Sequence, residues 1–234
     1  MTQNAEAKRI AEAYARRSES VPVERYSPFE LSNLLRIQEL ERKLLQLIGH
    51  RLQKNLQYKT ILDVGCGAGH WLRQFIQWGA KPSNLAGVDI LPDRITLARE
   101  LCPAQVHLEC EDASQLRFPD SSFDLVWQAT VFSSILEPQT RSAVAREMQR
   151  VLRPNGLILW YDFFVDNPRN RDVRGIKKRE IQDLFRHCKL EVHRITLAPP
   201  IGRKVVTLSP LLYTGLAGLK ALCTHYLIAA QKIV

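Results

Sequence analysis

The fold is decided by the stretch Ile61-Leu62-Asp63-Val64-Gly65-Cys66-Gly67-Ala68-Gly69. Its apolar residues form the short run that a buried parallel strand needs. The three alternate glycines remove Cβ atoms where the chain has to turn sharply and where a ligand can approach the backbone. Apolar residues from Trp71 to Trp78 then recur at helical spacing. The stretch therefore predicts a strand, a glycine loop and a helix, with Asp63 near the strand end where open α/β sheets bind ligands.

The spacing of the glycines indicates which class of cofactor such a loop binds. A dinucleotide fingerprint requires G-x-G-x-x-G, and counted from Gly65 its third glycine would fall on His70. A P-loop requires Gly-Lys-Ser/Thr at its close, but Gly69 is followed by His70 and Trp71. Neither motif fits. The remaining pattern, Asp-x-Gly-x-Gly-x-Gly, resembles the first motif of the class I S-adenosylmethionine-dependent methyltransferases, particularly the small-molecule branch called methyltransferase type 11.

Later segments continue this resemblance in the family's order, from about residue 60 to residue 163. They are a second apolar strand ending in Asp89, a strand followed by Glu-Asp-Ala at 111–113, a turn and fourth strand over 118–127, and the turn before the fifth strand at 150–156. Asn155 stands where the family usually has a second glycine, and Asn also tolerates a left-handed backbone. The resemblance therefore implies S-adenosyl-L-methionine as the cofactor.

The resemblance also implies roles for individual residues. Asp89 would bind the ribose hydroxyls, Ile90 would lie against the adenine, and Asp112 would meet the adenine amino group. Gln128, which follows the predicted fourth strand, would contact the amino acid part of the cofactor or orient the acceptor. The predicted cofactor site comprises Asp63, Gly65, Cys66, Gly67, Gly69, Asp89, Ile90, Asp112, Ala113 and Gln128.

Strands alternate with helices from Thr60 to about Leu190, which is the pattern of a doubly wound α/β sheet. The resemblance implies a Rossmann-like, mostly parallel seven-stranded sheet with an antiparallel last strand and helices on both faces. Towards the end of the chain we expect a buried helix over 209–222 and a strand over 224–232, inserted antiparallel at the sheet edge. We expect an N-terminal helical extension or lid over 1–55 and a methyltransferase domain over 56–234, with acceptor-side elements at about 162–222.

The N-terminal region predicts two helices, over residues 4–17 and 29–52, joined by a linker. In related enzymes such a segment folds over the cofactor, excludes water and contacts the methionine carboxylate. On that interpretation the expected contacts are Tyr14, Arg17 and Tyr26. A solvated helix face with two partly buried tyrosines is the alternative interpretation.

Methyl transfer requires the acceptor to be aligned with the methyl carbon and to be deprotonated at attack. A hydroxyl acceptor also needs a general base near the carboxyl ends of the fourth and fifth strands. Asp162 ends the predicted fifth strand and is the candidate catalytic residue, with an ion pair to an arginine as the alternative role. The histidines show no metal-ligand spacing, so no metal is expected.

The loop after Asp162 is dense in hydrogen-bonding groups, and we interpret it as the acceptor site. Ordinary turn chemistry is the alternative explanation, since the loop contains an Asn-Pro pair. The net charge of +9 is concentrated here, because residues 166–204 carry +6 whereas residues 61–165 carry −3. An anionic acceptor and plain solvated surface charge both account for this distribution. The candidate acceptor-binding residues are Asp166, Asn167, Arg169, Asn170 and Arg174.

These observations predict an enzyme that transfers a methyl group from S-adenosylmethionine to a small or medium acceptor, at an oxygen of a sugar, lipid head group or secondary metabolite. A nucleic-acid methyltransferase is one alternative, suggested by the basic balance. That class should carry an Asn/Asp-Pro-Pro-aromatic motif after the fourth strand, and the chain reads Gln128-Ala129-Thr130-Val131. A second alternative is a cofactor-binding partner of another methyltransferase, because binding residues alone do not establish turnover.

Composition predicts a cytoplasmic protein. The five cysteines include no C-x-x-C pair, which favours a reducing compartment, and residues 1–20 are polar where a signal peptide would be apolar. The apolar run over 205–231 is interrupted by Lys220, by Pro210 and by glycines, so no transmembrane segment is expected. Attachment to a membrane surface stays open. The sequence does not predict the oligomeric state.

Overall fold

The computed structural model describes residues 2–20, 22, 25, 27–52, 54–168 and 170–232. Its helices are α1 Thr2–Ser20, α2 Leu31–Arg51, α3 His70–Gln77, α4 Pro92–Leu101, α5 Pro138–Val151, α6 Lys178–Leu184, α7 Pro199–Val206 and α8 Pro210–Gly218. Its strands are β1 Ile61–Val64, β2 Leu85–Asp89, β3 His107–Cys110, β4 Phe123–Ala129, β5 Leu152–Phe163, β6 Cys188–Leu197 and β7 Cys223–Lys232. Short 3-10 turns include Phe132–Ser134 between β4 and α5.

The strands form one seven-stranded sheet in the order β3-β2-β1-β4-β5-β7-β6. The pairs among β1 to β5 are parallel, and β7 runs antiparallel to both β5 and β6. The predicted fold class is therefore confirmed. Strand order reverses between β1 and β4, and in open α/β sheets the crevice at such a reversal is where ligands bind.

The position of β7 differs from the sequence prediction in one respect. We expected the final strand at the edge of the sheet, but β7 lies between β5 and β6, and β6 forms the edge. The physical reason is visible in burial: residues 225–230 of β7 are all buried, whereas much of β6 is partly exposed. A strand that is apolar on both faces is most stable with a neighbour on each side.

Helix α2 packs on the same core as the strands. Leu40, Leu44, Leu47 and Ile48 are buried in one cluster with residues of β1, β5 and β7. The predicted helices over 4–17 and 29–52 correspond to α1 and α2. The predicted domain boundary at residue 55 stays a prediction. The core residues of α2 pack in the same cluster as those of the sheet.

The predicted buried helix over 209–222 is wrong in its burial and its length. Helix α8 spans only Pro210–Gly218, and Tyr213 is its one buried residue. Ser209 begins the helix by accepting a hydrogen bond from the Leu212 N–H at 3.4 Å, and Gly218 ends it. Leu211 and Leu212 face solvent, because an apolar composition does not specify which partner covers a helix. Across the described parts of the chain, every helix is too short or too polar to cross a bilayer.

Candidate functional site

A cavity of about 330 Å³ lies where the carboxyl ends of β1, β2 and β4 meet. Its walls come from the glycine loop, from the residues after β2, β3 and β4, and from one face of α1. Pockets for small ligands typically measure about 300–1,000 Å³. The cavity is therefore at the position and of the size that the crevice of a doubly wound sheet offers to a ligand.

The glycine loop reserves space for a ligand at Gly67. Gly65 and Gly67 have positive φ angles of 70° and 53° and line the cavity. A Cβ at Gly65 would overlap the Val131 side chain, so packing alone requires a glycine there. A Cβ at Gly67 would meet no atom within 4 Å, so it would project into open space. Gly69 lies outside the cavity wall, where a Cβ would overlap Cys102.

Asp89, at the end of β2, presents a carboxylate to the cavity. One oxygen accepts a hydrogen bond from the Gly67 N–H at 2.9 Å, and the other accepts one from the Leu91 N–H at 2.9 Å. Each carboxylate oxygen has a second lone pair for a hydroxyl donor. Burial raises the pKa of Asp89, despite these two hydrogen bonds. Asp89 thus lies in the cavity wall, and its binding of ribose hydroxyls stays a prediction.

The next wall carries Ile90, Asp112 and Ala113, which all line the cavity. Asp112 accepts a hydrogen bond from the Ser114 N–H at 2.8 Å, and this fixes the carboxylate after β3. Glu111 also lines the cavity, although the sequence did not single it out. Its side chain is 5% exposed, and burial raises its pKa. The only sequence feature that could have indicated Glu111 is its position directly before Asp112.

Helix α1 closes one side of the cavity. Glu6, Ile10 and Tyr14 line the wall, and Tyr14 Oη lies 3.4 Å from Ser134 Oγ. Glu6 accepts hydrogen bonds from the Leu136 N–H at 2.6 Å and from Arg9 Nε at 2.8 Å. Burial raises the pKa of Glu6, but the hydrogen bonds from Arg9 and Leu136 outweigh it and hold the pKa below its ordinary value.

Of the two other predicted lid residues, the structure describes only Arg17. Arg17 is half-buried on the last turn of α1 and does not line the cavity. Tyr26 lies outside the described residues. The lid contact that the structure describes is therefore made by the middle turns of α1, through Glu6, Ile10 and Tyr14.

Three predicted cofactor residues support the cavity without lining it. Asp63 is fully buried, one of its oxygens has no hydrogen-bond partner among the described residues, and burial together with the charge of Asp89 raises its pKa. The Cys66 thiol packs against Gly87, and burial raises its pKa. Gln128 is fully buried and accepts a hydrogen bond from the Val131 N–H at 3.1 Å. The hydrogen bond from Val131 to Gln128 holds the segment after β4 that forms part of the wall.

Asp162, the candidate base, is fully buried and faces backbone donors. Its oxygens accept hydrogen bonds from the Ser133 N–H at 3.0 Å and from the Phe163 N–H at 2.9 Å. Burial raises the pKa of Asp162 to about 7. The carboxyl does not line the cavity, so in this arrangement it fastens the Phe132–Ser134 turn to β5.

The predicted acceptor loop is held by its own polar contacts. Asp166 accepts a hydrogen bond from the Gly175 N–H at 2.8 Å, and Asn170 accepts one from the Asp172 N–H at 3.0 Å. Arg174 pairs with Glu180 at 2.6 Å, and its N–H donates to the Ser133 carbonyl at 2.9 Å. The Asn167 carbonyl accepts a hydrogen bond from the Asn170 N–H at 3.0 Å, and Arg169 lies outside the described residues. The loop thus contacts the Phe132–Ser134 turn.

Sequence reasoning missed the part of the wall that follows β4. Thr130, Val131 and Ser134 all line the cavity. Thr130 has a φ of 59°, which is uncommon for a β-branched residue and marks a strained backbone at the wall. No motif signals these residues, because their place depends on how β4 ends beside the glycine loop. Among the described residues, no group of three or more His, Cys, Asp and Glu side chains could hold a metal ion.

Comparisons with known proteins agree with this site. The model of the family described as "Methyltransferase domain" matches residues 61–156, which include the glycine loop, Asp89 and Asp112. A 2-methyl-6-phytyl-1,4-hydroquinone methyltransferase of Synechocystis sp. is 35% identical over 134 residues, covering 55% of this chain and 40% of that protein. A tRNA N(3)-cytidine methyltransferase METTL2 of Gallus gallus is 33% identical over 111 residues, covering 44% and 30%. The chain spans less than half the length of these relatives.

A solved structure extends the likeness to the whole fold. The PH0226 protein from Pyrococcus horikoshii OT3 superimposes with a TM-score of 0.61 at 20% identity, covering 90% of this chain and 98% of that chain. The family match over residues 61–156, together with the geometry of the glycine loop, supports a class I S-adenosylmethionine-dependent methyltransferase. These similarities imply that the chain binds S-adenosyl-L-methionine.

Proposed function

We propose that the protein transfers the methyl group of S-adenosylmethionine to a small-molecule acceptor. The observation that carries the proposal is the cavity in which Gly67 leaves room for a ligand and Asp89 holds the loop while facing that room. A motif with this geometry fits a nucleoside, because a carboxylate can accept from two adjacent hydroxyls. When bound, the cofactor supplies an activated methyl group on a sulfonium.

The protein's own contribution to the reaction is binding, orientation and exclusion of water. Asp89 would hold the ribose, Asp112 and Ile90 would hold the base, and α1 would cover the bound cofactor through Ile10 and Tyr14. Exclusion of water matters because it strengthens the fixed electrostatic interactions in the site. The acceptor would approach beside the Phe132–Ser134 turn, which contacts both α1 and the loop after β5.

Asp162 as a general base remains a proposal that its geometry does not favour. Its two oxygens already accept from Ser133 and Phe163, and the residue is closed from the cavity. A base has to come within hydrogen-bond reach of the proton that it removes. We therefore assign Asp162 a positioning role, in which it holds the turn that the acceptor approaches.

A small organic acceptor is favoured by the first relative, whose name specifies a phytyl hydroquinone. An anionic acceptor receives less support from the described residues, because Arg174 pairs with Glu180 and Lys177 lies 3.4 Å from Asp166. A cytoplasmic location is compatible with the five free cysteines, of which four are buried. The oxygen acceptors named from the sequence, in a sugar, a lipid head group or a secondary metabolite, stay within this proposal.

The tRNA-modifying relative favours a second candidate, methylation of RNA. The positive net charge would support it through contacts with phosphates. A partner protein that binds the cofactor without turnover is the third candidate. The decisive experiment supplies labelled S-adenosylmethionine with either a small-molecule extract or total RNA and identifies the labelled product. Label in a small molecule supports the proposal, and label in RNA alone replaces it with the second candidate. Cofactor binding without label in either pool favours the third, and absence of cofactor binding rejects all of them.

A further inference from the structure

Helices α7 and α8 lie on the side of the sheet where the strands have their carboxyl ends, as the cavity does. They connect β6 to β7, and β6 runs parallel to β5 because both are antiparallel to β7. The carboxyl end of β6, at Leu197, therefore lies on the same side of the sheet as the carboxyl ends of β1 and β4. A partner that binds α7 and α8 would therefore lie on the side of the molecule from which an acceptor would enter.

The two helices are firmly held from beneath. Tyr213 of α8 is buried with Leu197 and Val206, and Leu35 of α2 packs against this cluster. A Cβ at Gly202 would lie only 2.9 Å from the Tyr213 ring, so α7 and α8 are in close contact. The direction in which the remaining side chains of α8 face is thus set by packing.

Four leucines on the opposite side are exposed to solvent. Leu208 is 77% exposed, Leu211 84%, Leu212 45% and Leu219 54%. Single exposed leucines are ordinary on protein surfaces, but four within twelve residues form a patch that calls for a partner.

The charges around this patch select the kind of partner. Arg203, Lys204 and Lys220 are exposed at its borders. Residues 192–234 contain no Asp or Glu, and the acid that interacts with Lys220 is the partly buried Glu39 of α2. A second copy of the same face would bring like charges together, which opposes a symmetric dimer. An anionic lipid surface matches both features, because apolar side chains enter the acyl boundary while cations remain at the headgroups.

We propose that the docking surface, defined as Leu208, Leu211, Leu212 and Leu219 with Arg203, Lys204 and Lys220, binds the surface of an anionic lipid bilayer. The leucines insert at the interface and the three cations pair with lipid headgroups. Docking turns the cofactor edge of the sheet towards the membrane. If the proposed methyl transfer holds, its acceptor is then a molecule dissolved in the lipid layer, a consequence that rests on the proposed function.

The test uses the full chain and sedimentation with vesicles of phosphatidylglycerol and phosphatidylcholine, or of phosphatidylcholine alone. We expect binding to the anionic vesicles, with a marked decrease at high salt because exposed charges are screened. Each Lys or Arg near an anionic surface contributes roughly fivefold in partitioning. The double variant Arg203→Gln/Lys204→Gln should therefore partition about 25-fold less, and Leu208→Ser/Leu211→Ser should also bind less.

Matched variants elsewhere on the surface provide the controls. Arg186→Gln/Lys189→Gln removes the same charge near the start of β6, at the opposite edge, and Leu97→Ser/Leu101→Ser removes two exposed leucines from α4. Both should bind vesicles like the unaltered chain. Cofactor binding in solution, measured by calorimetry, should be unchanged in all four, so that a failure of docking is distinguished from a failure of the proposed function.

Two outcomes would overturn the proposal. One is a folded, cofactor-binding chain that stays in the supernatant with anionic vesicles. The other is equal vesicle binding by the docking-surface variants and their controls. A dimer in sedimentation velocity that Leu208→Ser/Leu211→Ser dissociates would assign the surface to a second copy of the chain instead.

Discussion

Asp89 Oδ2 accepts a hydrogen bond from the Gly67 N–H at 2.9 Å, and this contact joins the end of β2 to the middle of the glycine loop. The two residues are 22 positions apart in sequence, and both line the same cavity. A single carboxylate thus fixes the shape of the loop and faces the space that a ribose would fill.

Asp89→Asn should weaken cofactor binding. An amide has only one oxygen to accept from the N–H groups of Gly67 and Leu91, and it lacks the charge that strengthens bonds to ribose hydroxyls. Loss of a hydrogen bond to a charged group costs about 1.5–3 kcal/mol, or roughly 10- to 150-fold in affinity. Calorimetry with the demethylated cofactor measures the change. Asp93→Asn, an exposed acid at the start of α4, should leave affinity unchanged.

Gly67→Ala should separate ligand space from backbone strain. Gly67 and Gly79 both have positive φ angles, of 53° and 96°, and neither has an atom within 4 Å of an added Cβ. Each alanine should lower the free energy of unfolding by about 1–2 kcal/mol through strain. Only Gly67→Ala should also reduce cofactor affinity, by about 10- to 100-fold, because its methyl group enters the cavity. Equal affinities of the two variants would contradict a ligand at Gly67.

Glu6→Ala should loosen the lid. The variant removes the acceptor for the Leu136 N–H and for Arg9, which hold α1 over the cavity. We expect amide exchange in α1 to accelerate and the cofactor to dissociate about tenfold faster, from a loss of about 1.5 kcal/mol. Glu12→Ala, on the exposed side of α1, is the control and should change neither rate.

The same contact predicts a dependence on pH. Because the pKa of Glu6 is lowered in the folded protein, its contribution is present above the ordinary pKa of a glutamate and is lost as pH falls through the lowered value. Amide exchange in α1, corrected for its intrinsic rate, should therefore accelerate in acid in the unaltered chain and stay constant in Glu6→Ala. Parallel profiles for the two proteins would show that another group fastens the helix.

The free energy of unfolding should decrease as pH rises, because Asp162 is buried. Its pKa is raised to about 7 by burial, so folding favours the protonated form. The stability contributed by the neutral acid is complete below the pKa of an unfolded aspartate, about 4, and is lost as pH rises through 7. The free energy of unfolding in urea should fall between pH 5 and pH 8, and this fall should be smaller in Asp162→Asn.

The asparagine also tests the proposed positioning role. Asp162→Asn keeps one oxygen for the Ser133 and Phe163 N–H groups, so we expect a stability loss of about 1–3 kcal/mol at pH 5. Turnover should fall through misplacement of the turn, while its dependence on pH keeps its shape. Loss of the acidic limb of the pH profile of turnover, with unchanged stability, would identify Asp162 as the base.

Local motifs were sufficient to predict part of the cavity wall, and the cofactor contacts of these residues stay predictions. Gly67, Asp89 and Asp112 lie at the ends of strands, and the strand-loop-helix pattern places such ends together at one edge. Glu6 and Thr130 could not be predicted in this way, because their roles depend on contacts between distant segments. The acceptor side is the least determined by sequence, since no local pattern specifies what faces a loop.

The error over α8 has a similar physical cause. Its sequence is apolar on nearly every side, and such a composition ordinarily indicates a helix within the core. Burial depends on whether another element covers the helix. Only one face of α8 packs on the protein, through Tyr213, Leu216 and Ala217, while Leu211 remains in solvent. The order of β6 and β7 likewise follows from the burial of whole strands rather than from their sequence order.

The insertion of β7 between β5 and β6 means that the sheet closes late in synthesis. Until residues 223–232 have left the ribosome, β5 has an open side and β6 has no partner strand. Unpaired strands are the usual sites of intermolecular pairing, so a chain arrested before β7 is exposed to aggregation. Chaperone demand during production should therefore depend on how quickly this short segment follows β6.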